Sequence, residues 1–222
     1  MRNTGPGLVL LFATVFASAG GATAQKGVEP APFVFAGSTD IGKTLKGSTT
    51  AGARAGSFRI SGGGADMWGS EDDFHLDWVQ LVGDATLTAD VDFPPDAAPL
   101  AKGILIFRQS LTPASAYADV AIHGDGHITL QYRPTNGAAT RDITSPRQGT
   151  RRIRIQRQGN LFTASVASAD GKFTAFASQK IVLDGPVYVG LGVCSHSANA
   201  LVSITFSNVT LKHPAQLLPV TR

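Results

Sequence analysis

The chain has 222 residues, a formal net charge of +3, 43% hydrophobic residues and 16% charged residues. That balance excludes an intrinsically disordered chain, which is poor in hydrophobic residues and rich in charge, and it offers no strongly basic field for nucleic acid. The single cysteine, Cys194, excludes an intramolecular disulfide and reads as a small buried strand residue.

Residues 1–24 read as a secretory signal peptide. Arg2 gives a positive start, Leu8 to Ala17 form a short apolar core, and Ala22-Thr-Ala24 is a small-x-small cleavage site. The apolar run is too short for a bilayer span, which needs about 20 apolar residues. The expected location is secreted or periplasmic, with no membrane span. Residues 25–50 read as a linker followed by an edge strand around Phe33. Residues 51–213 form the expected domain, and 214–222 a short tail with no room for a further domain.

Within the domain, apolar residues recur at every second position, as half-buried strands require. Strands are expected over 58–61, 74–82, 85–93, 102–109, 117–123, 127–133, 139–144, 151–157, 160–167, 173–179, 187–194 and 201–211. Turn signals such as Gly83-Asp84, Gly124-Asp-Gly126 and Asp170-Gly171 separate them. The parity sets Phe74, Leu76 and Trp78 against His75, Asp77 and Val79. It makes core stripes of Leu87, Ala89, Val91 and Phe93 and of Val187, Val189, Leu191 and Val193. Short connections favour antiparallel pairing. The fold class is therefore all-β, a two-sheet antiparallel sandwich. Gly190 and Gly192 leave either room for a ligand against the sheet or close packing of a neighbour. Arg147, Arg151, Arg152, Arg154 and Arg157 read as a solvated face, with a polyanion strip as the alternative.

Several blocks resemble the concanavalin A-like sandwich domain of exported bacterial proteins. They are Gly62-Gly-Gly-Ala-Asp-Met-Trp-Gly, Asp73-Phe-His-Leu-Asp-Trp, Phe107-Arg-Gln-Ser-Leu, Tyr117-Ala-Asp-Val-Ala-Ile-His and Val187-Tyr-Val-Gly-Leu-Gly-Val-Cys-Ser-His, in order over roughly residues 33–212. That domain is often fused to TolB-type β-propellers and has no assigned activity. The resemblance implies a jelly roll. Relatives in the wider superfamily often bind or cleave carbohydrate on the concave sheet.

The chemistry-bearing residues favour binding over catalysis. Glycosidases on this fold need paired carboxylates on one strand, and the chain has Glu29 and Glu71 as its two glutamates. A lyase would need a neutralising cation and a proton-moving Tyr or His, types that Arg108, His123, Gln131 and Tyr132 supply. Arg108 ends an apolar strand and must find a partner or water, with Asp119 across the strands as the expected partner. Trp68 sits in a glycine-rich loop, as a sugar platform or as a plug closing the sandwich. Trp68, Arg108, Asp119, His123 and His196 are the candidate ligand-binding residues, on the assumption that their faces converge. No catalytic residue and no protein metal ligand is assigned, and no cofactor is expected, with calcium left open on Asp72, Asp73 or Asp125. The reading is an exported, non-catalytic carbohydrate-binding module. The alternatives are a carbohydrate-active lyase or hydrolase and a partner-binding module of the cell envelope. Nucleic acid is not an expected partner.

Overall fold

The computed structural model describes residues 1 and 34–214, so residues 2–33, which include most of the expected signal peptide and Phe33, and residues 215–222 of the tail lie outside the described residues. In chain order the strands are β1 (Gly37–Ile41), β2 (Ser48–Ala51), β3 (Phe58–Gly64), β4 (Met67–Trp68), β5 (Glu71–Asp72), β6 (Phe74–Leu81), β7 (Ala85–Asp92) and β8 (Lys102–Arg108). They continue as β9 (Tyr117–His123), β10 (Ile128–Arg133), β11 (Arg141–Thr144), β12 (Arg152–Gln158), β13 (Leu161–Ala167), β14 (Phe173–Lys180), β15 (Val187–Cys194) and β16 (Ser197–Lys212). One seven-stranded sheet runs β1-β6-β15-β8-β9-β10-β11 and the other β14-β13-β12-β7-β16-β3-β2. Every pairing is antiparallel, and among the described residues there is no helix. The architecture is the all-β, two-sheet sandwich that the alternation predicts, and the jelly roll that the resemblance implies. No helix among the described residues is long and apolar enough to cross a membrane.

The expected parity is observed. Leu87, Ala89 and Val91 of the second sheet meet Leu105, Phe107, Val120, Leu130, Val189, Leu191 and Val193 of the first in one core, and Phe93 packs at its margin. Each fully buried Leu, Val or Phe stabilises the fold by about 1.5–3 kcal/mol through area removed from water. The first sheet departs from simple alternation. Its other face is buried too, under a second cluster of Ile41, Met67, Phe74, Leu76, Ile104, Ile106, Tyr117, Ala121 and Cys194. This explains why β8, β9 and β10 are buried at every position. It also explains the unbroken apolar run Ile104-Leu-Ile-Phe107.

The edge strand expected around Phe33 begins four residues later, at Gly37, and a second edge strand, β2, lies within the segment read as a linker. Gly190 serves close packing and not a ligand. A Cβ there would lie 1.8 Å from the Asp77 carbonyl oxygen on β6. The arginine strip is largely occupied. Arg151 pairs with Asp92, Arg152 approaches Asp90 at 3.5 Å, and Arg154 lies 3.6 Å above the Phe173 ring.

Candidate functional site

The outer face of the first sheet is covered by a strap, residues 64–73, that joins β3 to β6. It begins at Gly64, whose φ of 118° and approach of 1.8 Å from a virtual Cβ to the Asp73 carbonyl leave no room for a side chain. Strands β4 and β5 pair within the strap, Met67 with Asp72 and Trp68 with Glu71. Alternation then splits its residues. Met67 and Asp72 are fully buried, whereas Trp68 is 44% exposed.

Asp72 clamps the strap from beneath. Arg133 donates to it twice, Nη1 to Oδ2 at 2.8 Å and Nη2 to Oδ1 at 2.7 Å, and Arg108 Nη1 donates to Oδ2 at 3.0 Å. The other guanidinium groups are also satisfied. Arg108 donates to the carbonyls of Ser110 at 2.7 Å and Thr112 at 2.6 Å. Arg133 donates to those of Ala138 at 3.0 Å and Gly69 at 3.2 Å. Tyr117 lies against both cations, with its ring centroid 5.1 Å from Arg133 and 5.9 Å from Arg108. Burial lowers the Arg108 pKa from its ordinary value, and the charge of Asp72 acts against that shift. The expected Arg108–Asp119 pair is thus corrected. Register places Arg108 opposite Tyr117 and Asp119 opposite Ile106, and the strap brings a nearer carboxylate to the guanidinium.

At the other end of the strap Asp66, Trp68 and His196 reach solvent, whereas Lys102 and His123 beneath them are buried. Lys102, opposite His123 in the β8–β9 ladder, donates from Nζ to Asp66 Oδ1 at 2.7 Å and to the Met67 carbonyl at 3.0 Å. The same ammonium lies 5.9 Å from the Trp68 ring. His196, in the left-handed region at φ 57°, sets Nδ1 3.9 Å from Asp66 Oδ1 and is half-buried. His123 stacks on His127 with ring centroids 3.7 Å apart, and its Nε2 lies 3.2 Å from Thr129 Oγ1. Burial, with the nearby charges of His127 and Lys102, pushes the His123 pKa down to about 3. Its imidazole is therefore neutral at physiological pH.

Three of the five candidates therefore gather around the Lys102–Asp66 pair: Trp68, His123 and His196. Trp68 is a presented side chain and not a plug. Arg108 belongs to the buried clamp. Asp119 is fully buried on the same sheet face, and neither of its oxygens makes a hydrogen bond. Burial raises its pKa well above the ordinary value, which favours the uncharged acid. Lys102 and Asp66 were not among the candidates. Lys102 interrupts the apolar run from Ala101 to Phe107 just as Arg108 ends it, so the same reasoning applied one strand-length earlier would have found it.

The lyase set does not assemble. Tyr132 points into the inter-sheet core, whereas Gln131 and Arg133 lie on the opposite face of β10. The calcium candidates are engaged within the protein. The Asp72 carboxylate is taken by two guanidinium groups, Asp73 Oδ1 accepts from Lys43 N–H at 2.6 Å, and Asp125 Oδ1 accepts from His127 N–H at 3.1 Å. Among the described residues no group of three or more His, Cys, Asp or Glu is placed to hold a metal ion. Cys194 is buried, and burial pushes its thiol up to about 12, so it is an inert core residue.

No family model and no curated protein matches the chain. Solved structures do. A functionally unknown protein from Saccharomyces cerevisiae superposes with a TM-score of 0.56 at 18% identity, covering 76% of this chain and 93% of that one. The carbohydrate binding module CBM66 from Bacillus subtilis superposes with a TM-score of 0.54 at 15% identity, covering 82% of this chain and all of that module. At these identities the likeness shows the jelly-roll sandwich fold.

Proposed function

We propose that the chain is an exported glycan-binding module whose sugar platform is Trp68. The observation that carries this reading is a half-exposed indole held on a hairpin whose underside is fixed by the buried Asp72–Arg108–Arg133 clamp. A half-exposed indole keeps apolar area available to a ligand, and the apolar face of a pyranose ring fits an indole. The hairpin is already ordered, so binding costs little additional loop entropy. Asp66 and His196, partly exposed near the ring, supply polar groups of the kind sugar hydroxyls require, and the buried Lys102 holds Asp66 in place. The fold shared with a carbohydrate binding module supports the same reading.

The strap moves the binding surface. On a bare sheet a glycan would lie directly on β8, β9 and β10, but here those strands are covered and the platform stands on the covering segment. The proposal assigns no cofactor, and calcium enters only as a variable of the test. The test is a glycan-array screen of the full chain with and without calcium, repeated with Trp68→Ala. A hit abolished by that substitution supports the reading. A hit that survives it overturns the Trp68 platform, and silence across neutral and acidic glycans overturns the glycan reading and favours an envelope-protein partner.

A further inference from the structure

A different site lies where the edge strands β1 and β2 of the two sheets come together. Strand β1 pairs with β6 in the register Ser38 with Asp77 and Asp40 with His75, so Ser38, Asp40, His75 and Asp77 share one sheet face. Their contacts form a chain. His75 Nδ1–H donates to Asp40 Oδ1 at 2.6 Å, and Ser38 Oγ lies 3.1 Å from His75 Nε2. Asp40 Oδ1 is itself fixed by the Gly47 N–H at 3.0 Å. Asp77 Oδ1 lies 3.7 Å from Nε2, and the Thr49 hydroxyl donates to the other oxygen of that carboxylate.

This is the order of groups that activates a serine. With Nδ1–H held by Asp40, Nε2 of the neutral imidazole faces the Ser38 hydroxyl, and Asp77 Oδ1, 3.7 Å from the same nitrogen, favours the imidazolium that forms when Nε2 takes the proton. His75 is 2% exposed, whereas Asp40 and Ser38 on the edge strand are both open to solvent, and Ser38 lines a cleft of about 550 Å³. The cleft wall is mostly apolar, with Phe35, Ala51, Ala53 and Phe58, and Arg54 supplies its one cation.

We propose that Ser38, His75 and Asp40 form a hydrolytic site for carboxylic esters carrying a small apolar acyl group, seated in this cleft. Ser38 Oγ bonds to the acyl carbon as its proton passes to His75 Nε2. The ester C–O bond then breaks, and the same proton goes from Nε2 to the departing oxygen, releasing the alcohol. Water attacks the acyl-serine, giving a proton to Nε2 that returns to Ser38 Oγ as the carboxylic acid leaves. Asp40 and Asp77 stabilise the imidazolium formed in each half, and Arg54 is the charge available to the tetrahedral oxyanion. The net reaction is ester plus water to acid plus alcohol. It is independent of the Trp68 platform, so hydrolysis in Trp68→Ala separates the two proposals.

The test combines fluorophosphonate labelling of the full chain, with peptide mass spectrometry, and hydrolysis of p-nitrophenyl butyrate. The expected result is one adduct, on Ser38, and a rate that falls about 10³-fold in Ser38→Ala and about 10²-fold or more in Asp40→Asn. Melting curves establish that both variants fold. Absence of an adduct on Ser38 in the folded wild-type protein overturns the proposal, as does equal hydrolysis by wild type and Ser38→Ala.

Discussion

Arg133 grips Asp72 with both terminal nitrogens, at 2.8 and 2.7 Å, and both residues are fully buried. This bidentate pair joins the strap to β10 and fixes which strap residues face inward. Arg108 adds a third charge, so the clamp holds two cations around one carboxylate.

Removing that carboxylate leaves two guanidinium groups buried without their counter-charge. Asp72→Asn is expected to destabilise the fold by about 3–5 kcal/mol, the usual cost of breaking a buried pair. Urea denaturation monitored by tryptophan fluorescence measures it. A loss within the range of a surface substitution would mean that the clamp is not structural.

Trp68 should behave in the opposite way. Trp68 is 44% exposed, and the Lys102 ammonium lies 5.9 Å from its ring centroid. Trp68→Ala is expected to lower stability by no more than about 1 kcal/mol. A melting temperature that falls as far as in Asp72→Asn would identify the indole as a packing residue.

The buried histidines give the fold opposing pH dependences. Burial, with the charges of His127 and Lys102, holds His123 neutral down to about pH 3, so the unfolded chain binds the extra proton first. Its contribution is complete above about pH 6.5 and is lost as the pH falls from there toward 3. For His75, burial lowers the pKa, but the hydrogen bonds and charges of Asp77 and Asp40 outweigh it and the net shift is upward. That contribution is complete below about pH 6.5 and is lost as the pH rises through the folded pKa. NMR titration of the imidazole protons should show one resonance unmoved through the neutral range and another titrating above the ordinary histidine value. Two histidines titrating at the ordinary value would refute both assignments.

Gly190 lies against the β6 backbone, so Gly190→Ala drives a methyl group to 1.8 Å from the Asp77 carbonyl. The strands must part to admit it, at a cost of about 1–3 kcal/mol or more. Circular dichroism melting of the variant measures this. Gly185→Ala gives a comparison in open space, although its φ of 61° adds strain of its own.

The sandwich could be read because strand parity is a local property. Alternation around Leu87 and Val189 is set by the pleat, and each stripe meets the core for the same reason. Cys194 followed from the same logic. Sequence could also nominate Trp68, His123 and His196 as chemistry-bearing types, but not their grouping. That grouping depends on Lys102 and Asp66, which are remote in sequence and meet only when the strap folds across β8.

The sequence by itself determined the all-β class, the core stripes, the isolated cysteine and most of the long strands to within a residue or two, because periodicity and turn chemistry act over neighbouring residues. Strand β3 runs three residues further and β16 starts four earlier than expected, and β2, β4 and β5 were not foreseen. Tertiary structure alone decided the partner of Arg108, the burial of Asp119, the second apolar layer over the first sheet and the meeting of Ser38, His75 and Asp40. Each depends on strands or loops joined across long stretches of chain, where pairing register and the path of a ten-residue strap, not local pattern, set which side chains touch.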